Sequence, residues 1–392
     1  GILAKDQFPE PTYGDASLID LCEVPVYSIP LRSLYSRDIE NLFLAGRDIS
    51  VTHVALGSTR LMGTCAVLGQ AVGTCAWLCK KFDILPKYVY PDKIELLQQQ
   101  LLKDDQYVPG VKNEDPADLA RTARVSATSC SPLIFPEPTA PRQLDVPVGI
   151  VIPVSTETLE EVSFLMEARE DTEVTLHVRS TKRTCDFTDE TDVACVTSKV
   201  TAGGKTWVDF RLAAKTKPDS LYWLVFDSNP EVIIYGSSLL PPTGTVSLHK
   251  PFKKWHYLKS TIRWENLKPV HQRWNLCLKI EPLQFPYESG NILSGITRPD
   301  DWTNIWISHP DQPLPQSAIL EFDSSVSLNT VYLTFDTNLA LTANLHLPTW
   351  RAPKDTVRDY RLFYELDGAW NDIEIFRNNY LRRRVHRFQR IW

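Results

Sequence analysis

The chain has 392 residues, of which 43% are hydrophobic and 23% charged, and this excludes wholesale disorder. Its length predicts two or three domains, and a formal charge of -6 argues against a general nucleic-acid binder. No uninterrupted apolar run reaches the ~20 residues of a membrane span; the longest stretch, Met62 to Leu78, is broken by Gly, Thr and Gln.

Gly1 stands where an initiator Met would, and the first residues read as neither a secretory nor a transit peptide. This predicts a processed product or a piece of something longer. The eight cysteines include no C-x-x-C pair, which leaves zinc-ribbon and thioredoxin-like readings unsupported. Cys75 and Cys79 are expected as small buried hydrophobes on a helix. Free thiols lean toward a cytoplasmic, reducing compartment, while Cys185 and Cys195 stand where a hairpin can pair them. His249, His256 and His271 lack metal-ligand spacing, and no metal site is expected.

In chain order, residues 1–124 mix helix and strand. Asn41 to Gly46 (NLFLAG) reads as a short apolar strand ending at glycine. A polar loop with Arg47, Asp48, Thr52, His53 and Arg60 follows it, and then a long helix from Met62 to Phe82. Gly69 and Gly73 sit one turn apart on that helix. Interior glycine costs about 1 kcal/mol relative to alanine, so the pair predicts close approach of another backbone or a flat ligand. Asp92 to Lys103 reads as an amphipathic surface helix.

Residues 125–245 alternate as strands at 148–154, 173–179, 207–212 and 221–226, separated by turn signals at Gly203-Gly204 and Asp227 to Pro230. This spacing predicts a β-sandwich. Residues 246–285 form a Trp- and Lys-rich connector, with Trp255, Trp264 and Trp274 expected to pack on a neighbouring domain. Residues 286–392 again read as strands, at 318–322, 330–335, 360–365 and 384–388. The basic run Arg382 to Phe388 is expected as a structural last strand, its charges split between two faces. Trp302 and Trp306 can fill a core or form a sugar-stacking platform. The fold class is therefore α+β and multidomain.

The chemistry concentrates between Tyr27 and Leu78. The N-terminus of a helix offers unpaired N–H groups and positive potential, suited to a phosphate or an anionic ring. Asp48, just past the strand, can accept hydrogen bonds from hydroxyls, or form an Asx turn. His53 suits proton transfer near neutral pH, or a structural hydrogen bond. Hydrolase and nucleotide-hydrolysing readings have no supporting motif, since neither a nucleophile elbow nor a Walker loop is present.

Four segments carry a family resemblance: Tyr27 to Leu34 (YSIPLRSL), Asn41 to Asp48 (NLFLAGRD), His53 to Arg60 (HVALGSTR) and Gly69 to Gly73 (GQAVG). Across about residues 20–105 they resemble the C-terminal end of a family of FAD-dependent oxidoreductases. The resemblance implies an FAD cofactor, with Gly46, Arg47 and Asp48 near its ribityl or pyrophosphate. It implies Ser58, Arg60, Met62, Gly63 and Thr64 near the isoalloxazine, and His53, Arg60 and Arg32 as candidate catalytic residues on the substrate side. Arg60 can balance the anionic N1–C2=O2 locus of the flavin or hold a substrate carboxylate.

The family opens with G-x-G-x-x-G, which this sequence lacks. The expected partner is therefore an N-terminal FAD-binding polypeptide, or a missing N-terminal half, and the chain is expected to be incomplete alone. A small organic substrate, of a hydroxylated or sugar-like class, is expected to give a hydride to FAD. Residues 291–299, 304–308, 332–336, 357–360 and 379–388 look like the galactose-binding-like β-sandwich appended to some family members. The implied layout is the C-terminal part of an FAD-binding α/β domain at 1–124, a β-sandwich at 125–245, the connector at 246–285 and a galactose-binding-like sandwich at 286–392. The alternative is a non-catalytic carbohydrate- or protein-binding module built on two β-sandwiches.

Overall fold

The computed structural model describes residues 2–4, 21–23, 26–183, 190–237, 245–249, 265–266, 275–337 and 356–391. The chain divides into two compact units, Gly1–Asp118 with Lys250–Glu265, and Leu119–His249 with Asn266–Trp392.

In the first unit, β1 (Ile2–Ala4) pairs antiparallel with β2 (Leu21–Glu23). Among the described residues three α-helices follow: α1 (His53–Thr59), α2 (Met62–Phe82) and α3 (Ile94–Lys103). Thr52 caps α1 by accepting from the Ala55 N–H at 3.3 Å. At the far end of α2, Asp83 turns left-handed (φ 53°) and the Ile84 N–H closes on the Cys79 carbonyl at 3.0 Å. Lys80 and Lys81 in the last turn complement the helix dipole.

One face of α2 is buried. Leu68 packs with Leu34 and Ile49, and Cys75, Leu78 and Cys79 pack with Val89, Leu97 and Leu101. The outer face is exposed and partly apolar, with Val67 and Trp77 each at 47%. By length and composition alone, α2 meets the measure of a membrane-crossing helix, with mean hydropathy 1.3 and 28% of that window buried. The sequence expectation of no span came from its interrupting Gly, Thr and Gln residues, which lower hydropathy without ending the helix.

The predicted strand at 41–46 is an extended segment with a single bridge, Tyr35 to Phe43. A ladder needs a continuous neighbour, and Leu44 N–H to Leu34 O at 2.8 Å and Ser36 N–H to Leu42 O at 2.9 Å are what this segment finds. The close approach expected at Gly69 and Gly73 is also missing: a Cβ at either position meets nothing within 4 Å among the described residues.

The second unit is built on a β-sandwich. The first sheet contains β5 (Val148–Val154), β7 (Thr172–Thr181), β8 (Asp192–Val200), β10 (Ser220–Phe226) and β12 (Val246–His249), in the order β12-β5-β10-β7-β8. The second contains β4 (Pro138–Leu144), β6 (Thr158–Ala168), β9 (Thr206–Lys215), β11 (Asn229–Ser237), β14 (Asn275–Leu276) and β15 (Leu278–Glu281). One edge of β6 pairs with β9, and its other edge is shared by β15 and β11. Glu265–Asn266 form the short β13.

Inward-facing residues of both sheets form one core. At its centre Phe164 meets Phe226 edge-on at 4.7 Å and Phe210 at 6.2 Å. Gly149 is required here: a Cβ would lie 2.5 Å from the Leu224 carbonyl oxygen and 2.7 Å from Trp223 Cη2.

The predicted sandwich boundary at 245 and connector at 246–285 differ from what is seen. Strands β12, β14 and β15 all belong to the two sheets, and Tyr287 lies in the core. Strands β5 and β6 are central, so the edges that β12 and β15 cover would otherwise leave buried N–H and C=O groups unpaired. Trp255, Trp264 and Trp274 lie outside the described residues, as do His256, His271 and Cys185.

Beyond the sandwich, β3 (Arg124–Ala127) pairs with β16 (Ala318–Glu321), β17 (Leu328–Thr334) with β20 (Arg383–Ile391), and β18 (Tyr360–Leu366) with β19 (Ala369–Phe376). Among the described residues, 286–392 thus forms two-stranded ladders instead of two facing multi-stranded sheets. In β20, His386 is buried; its Nδ1 lies 2.6 Å from Glu374 and its Nε2 2.9 Å from the Tyr360 hydroxyl. Arg384 lies over the Phe376 ring at 4.2 Å and donates to Asn379 Oδ1 at 2.7 Å. Trp302 and Trp306 are half-buried and donate to Asn291 Oδ1 at 3.0 Å and to the Ser129 carbonyl at 2.9 Å.

Candidate active site

Apart from Arg32, the candidate residues lie on the loop after Phe43, on α1, at the α1–α2 junction and on the first turn of α2. Ile49 anchors the loop: it is buried against Leu34 and Leu68, and the Ser50 N–H donates to the Ser33 carbonyl at 2.9 Å. With Ile49 turned inward, Arg47 and Asp48 on the same loop are exposed. Gly46 has a φ of 124°, a region that L side chains rarely adopt, and a Cβ there would lie 3.4 Å from Asp48 Oδ1. Glycine therefore lets the chain turn out of the extended segment into this loop.

Arg32 is exposed on a 3-10 turn, Leu31–Ser33. His53 is exposed as the first residue of α1. Ser58 is buried and accepts a hydrogen bond from the Tyr27 hydroxyl at 2.7 Å. Arg60 is exposed at the C-cap of α1, one residue before the N-cap of α2. Met62 is 90% exposed, Gly63 is exposed and Thr64 is half-buried.

The N-terminus of α2 has the properties an anion-binding edge needs. The first N–H groups of a helix have no intrahelical partner. Here the N-cap is Leu61, which has no side chain able to accept from them. The first turn also contains no acidic residue to neutralise the dipole. A 21-residue helix therefore presents an uncapped positive end, with Gly63 leaving space beside it. At the last residue of α1, Thr59 Oγ1 is buried and has no hydrogen-bond partner among the described residues, an uncommon state for a buried hydroxyl.

Residues 10–101 match the family model described as FAD dependent oxidoreductase. This match supports an FAD-dependent oxidoreductase family region within residues 10–101, and every site residue predicted from sequence lies inside the matched span. No curated protein matches the chain.

Sequence reasoning passed over two side chains at this site. Tyr27 holds Ser58, and Thr59 carries the orphaned hydroxyl. Neither could be found from local pattern: Tyr27 and Ser58 are 31 residues apart, and a Thr beside a Ser at a helix end is ordinary. The uncapped α2 terminus was passed over as well, although Leu61 precedes Met62 with no Ser, Thr, Asp or Asn at the cap position.

Proposed function

We propose that this chain is the C-terminal portion or a subunit of an FAD-dependent oxidoreductase, and that the N-terminal end of α2 receives the pyrimidine edge of the flavin. The observation that carries this reading is the uncapped, acid-free terminus of α2 inside the matched span. The orphaned Thr59 hydroxyl and the open space at Gly63 fit a flat, anionic, hydrogen-bonding group at that position. When bound, FAD would take up the hydride removed from an organic substrate.

The chain's own residues have the following roles in this proposal. The N–H groups of Met62, Gly63 and Thr64 hold an anionic ring edge, and Arg60 adds positive charge beside them. Tyr27 fixes Ser58, and with it the last turn of α1, through the 2.7 Å hydrogen bond. Arg47 and Asp48 face the ribityl or pyrophosphate part of the cofactor, with Asp48 accepting from hydroxyls. His53 and Arg32 are candidates for moving a proton and for orienting substrate.

The rest of the cofactor site would come from a segment bearing the glycine-rich dinucleotide loop, upstream on the same polypeptide or on another chain. The exposed apolar residues Leu61, Met62 and Val67, at 50%, 90% and 47%, are the surface such a segment would cover. A small hydroxylated substrate is the class we favour.

Intact mass and a visible absorption spectrum of the protein isolated from its native source test the reading. A flavin spectrum together with a longer or co-purifying chain is the expected result. A colourless 44.6 kDa species that gains no flavin spectrum on addition of FAD would overturn it.

A further inference from the structure

On the outer face of the first sheet of the second unit, side chains from three strands converge. His177 on β7 and Cys195 on β8 are direct cross-strand partners. Regular alternation from Cys195 would turn Asp192 to the opposite face, because the two residues differ by an odd number. The register shifts between Val178 and Arg179, however: Val178 pairs with Ala194 and Arg179 with Asp192, so Val193 is the extra residue of a bulge. A bulge of this kind re-aims the side chains beyond it, and it brings Asp192 onto the face of His177 and Cys195.

A ring nitrogen of His177, an Asp192 carboxylate oxygen and Cys195 Sγ all lie within 4.8 Å of one another. His177 Nδ1 is 2.7 Å from Asp192 Oδ2. The other Asp192 oxygen accepts from Arg179 Nε at 2.8 Å, which holds the carboxylate in place while leaving Oδ2 for a second partner. On the far side of the ring, His177 Nε2 is 3.2 Å from Asp227 Oδ2, just past the end of β10. A metal-binding histidine almost always donates its second N–H to a carboxylate or carbonyl, which fixes the ring and the tautomer. Asp227 is placed for that role.

We propose that His177 Nδ1, Asp192 Oδ2 and Cys195 Sγ form a binding site for a divalent transition-metal ion of the zinc type, with Asp227 orienting His177. Nitrogen, oxygen and thiolate sulfur together suit zinc or its neighbours better than calcium or magnesium, which take oxygen ligands. Donors around one tetrahedral zinc stand about 3.4 Å apart, given bond lengths near 2.1 Å, so the observed cluster needs only small side-chain adjustments. With a neutral imidazole and a thiolate, the two carboxylates and the single guanidinium leave two negative charges, which match a dication. Binding displaces the proton between Nδ1 and Asp192 and the thiol proton of Cys195. A water molecule completes the coordination.

The test is titration of the full-length protein with Zn2+ by calorimetry, and with Co2+ by its thiolate charge-transfer absorption. One ion per chain is expected. His177→Ala and Cys195→Ser should each weaken binding by more than about 100-fold, and Asp227→Asn by about 10–100-fold. Thr197→Val, on the same face of β8, should leave it unchanged. Zn2+ should also slow modification of Cys195 by a thiol reagent at least about 10-fold in the wild-type protein, a measurement that needs no variant to fold. No saturable Zn2+ binding, binding that survives His177→Ala, or an unchanged modification rate at Cys195 would overturn the proposal and leave an ion-paired cluster.

Discussion

Replacing Gly69 and Gly73 on α2 with alanine separates the stability of this chain from its assembly. Both glycines are exposed, and a Cβ at either meets nothing within 4 Å among the described residues. Neither carries a positive φ, so alanine fits the backbone. Each replacement therefore gains the helix-propensity difference of about 0.8–1.0 kcal/mol without an opposing steric cost. The double variant should be about 2 kcal/mol more stable, which raises the unfolding midpoint by roughly 4–10 °C for a unit of this size. Thermal unfolding followed by far-ultraviolet circular dichroism reads this directly. If the glycines also mark where the dinucleotide-binding segment lies against α2, the same variant should bind that segment, and FAD with it, more weakly. A double variant less stable than the parent protein would refute the reasoning, because it would place a second backbone against that face within the chain itself.

Gly149→Ala should do the opposite. The Leu224 carbonyl oxygen at 2.5 Å is part of the β5–β10 ladder and cannot swing aside, so overpacking of about 1–3 kcal/mol outweighs the entropic gain of about 0.4–1 kcal/mol; an unchanged or raised urea midpoint would count against it. Burial pushes the Cys75 and Cys277 thiols up to about 12, so both should resist a thiol reagent at pH 8 until the protein unfolds, as peptide mapping of the labelled sites will show. Asp115 is held below the ordinary carboxylate range, first by the Ala117 N–H and then, against the opposing effect of burial, by Lys103 at 3.2 Å. A lowered native value means that this stabilisation is present above about pH 4 and is lost as the pH falls through the native value. Asp115→Asn should thus lower stability at pH 7 and flatten its dependence below pH 4, and equal slopes for the two proteins would contradict the assignment.

Strong local periodicity was enough for much of the fold. The stretch Met62 to Phe82 specifies a helix because it is long, largely apolar and free of proline, and a helix satisfies its own backbone. The short continuous β-branched and aromatic runs at 148–154 and 221–226 likewise marked strands, and both are buried almost throughout. Strand β6 was missed because Glu160, Glu161, Met166 and Ala168 favour helix locally, and pairing with β9, β11 and β15 overrides that preference. Strand β8 was missed because its polar sequence matches an edge strand with one face in solvent.

At the candidate active site, the residue types were read along the chain, and the missing cap at Leu61 and the Tyr27–Ser58 contact were not. The His177 cluster shows the same limit more sharply. Its three ligands are spread over 18 positions of sequence, from His177 to Cys195, and their spacing matches no metal motif. A one-residue bulge at Val193 decides which face Asp192 occupies, and that depends on the register between two strands. Elements that satisfy their own backbone, such as α2, can be read from neighbouring residues. Sheet membership, the sandwich's reach to β15 and the meeting of His177 with Asp192 are set by hydrogen bonds to distant strands, which no local window contains.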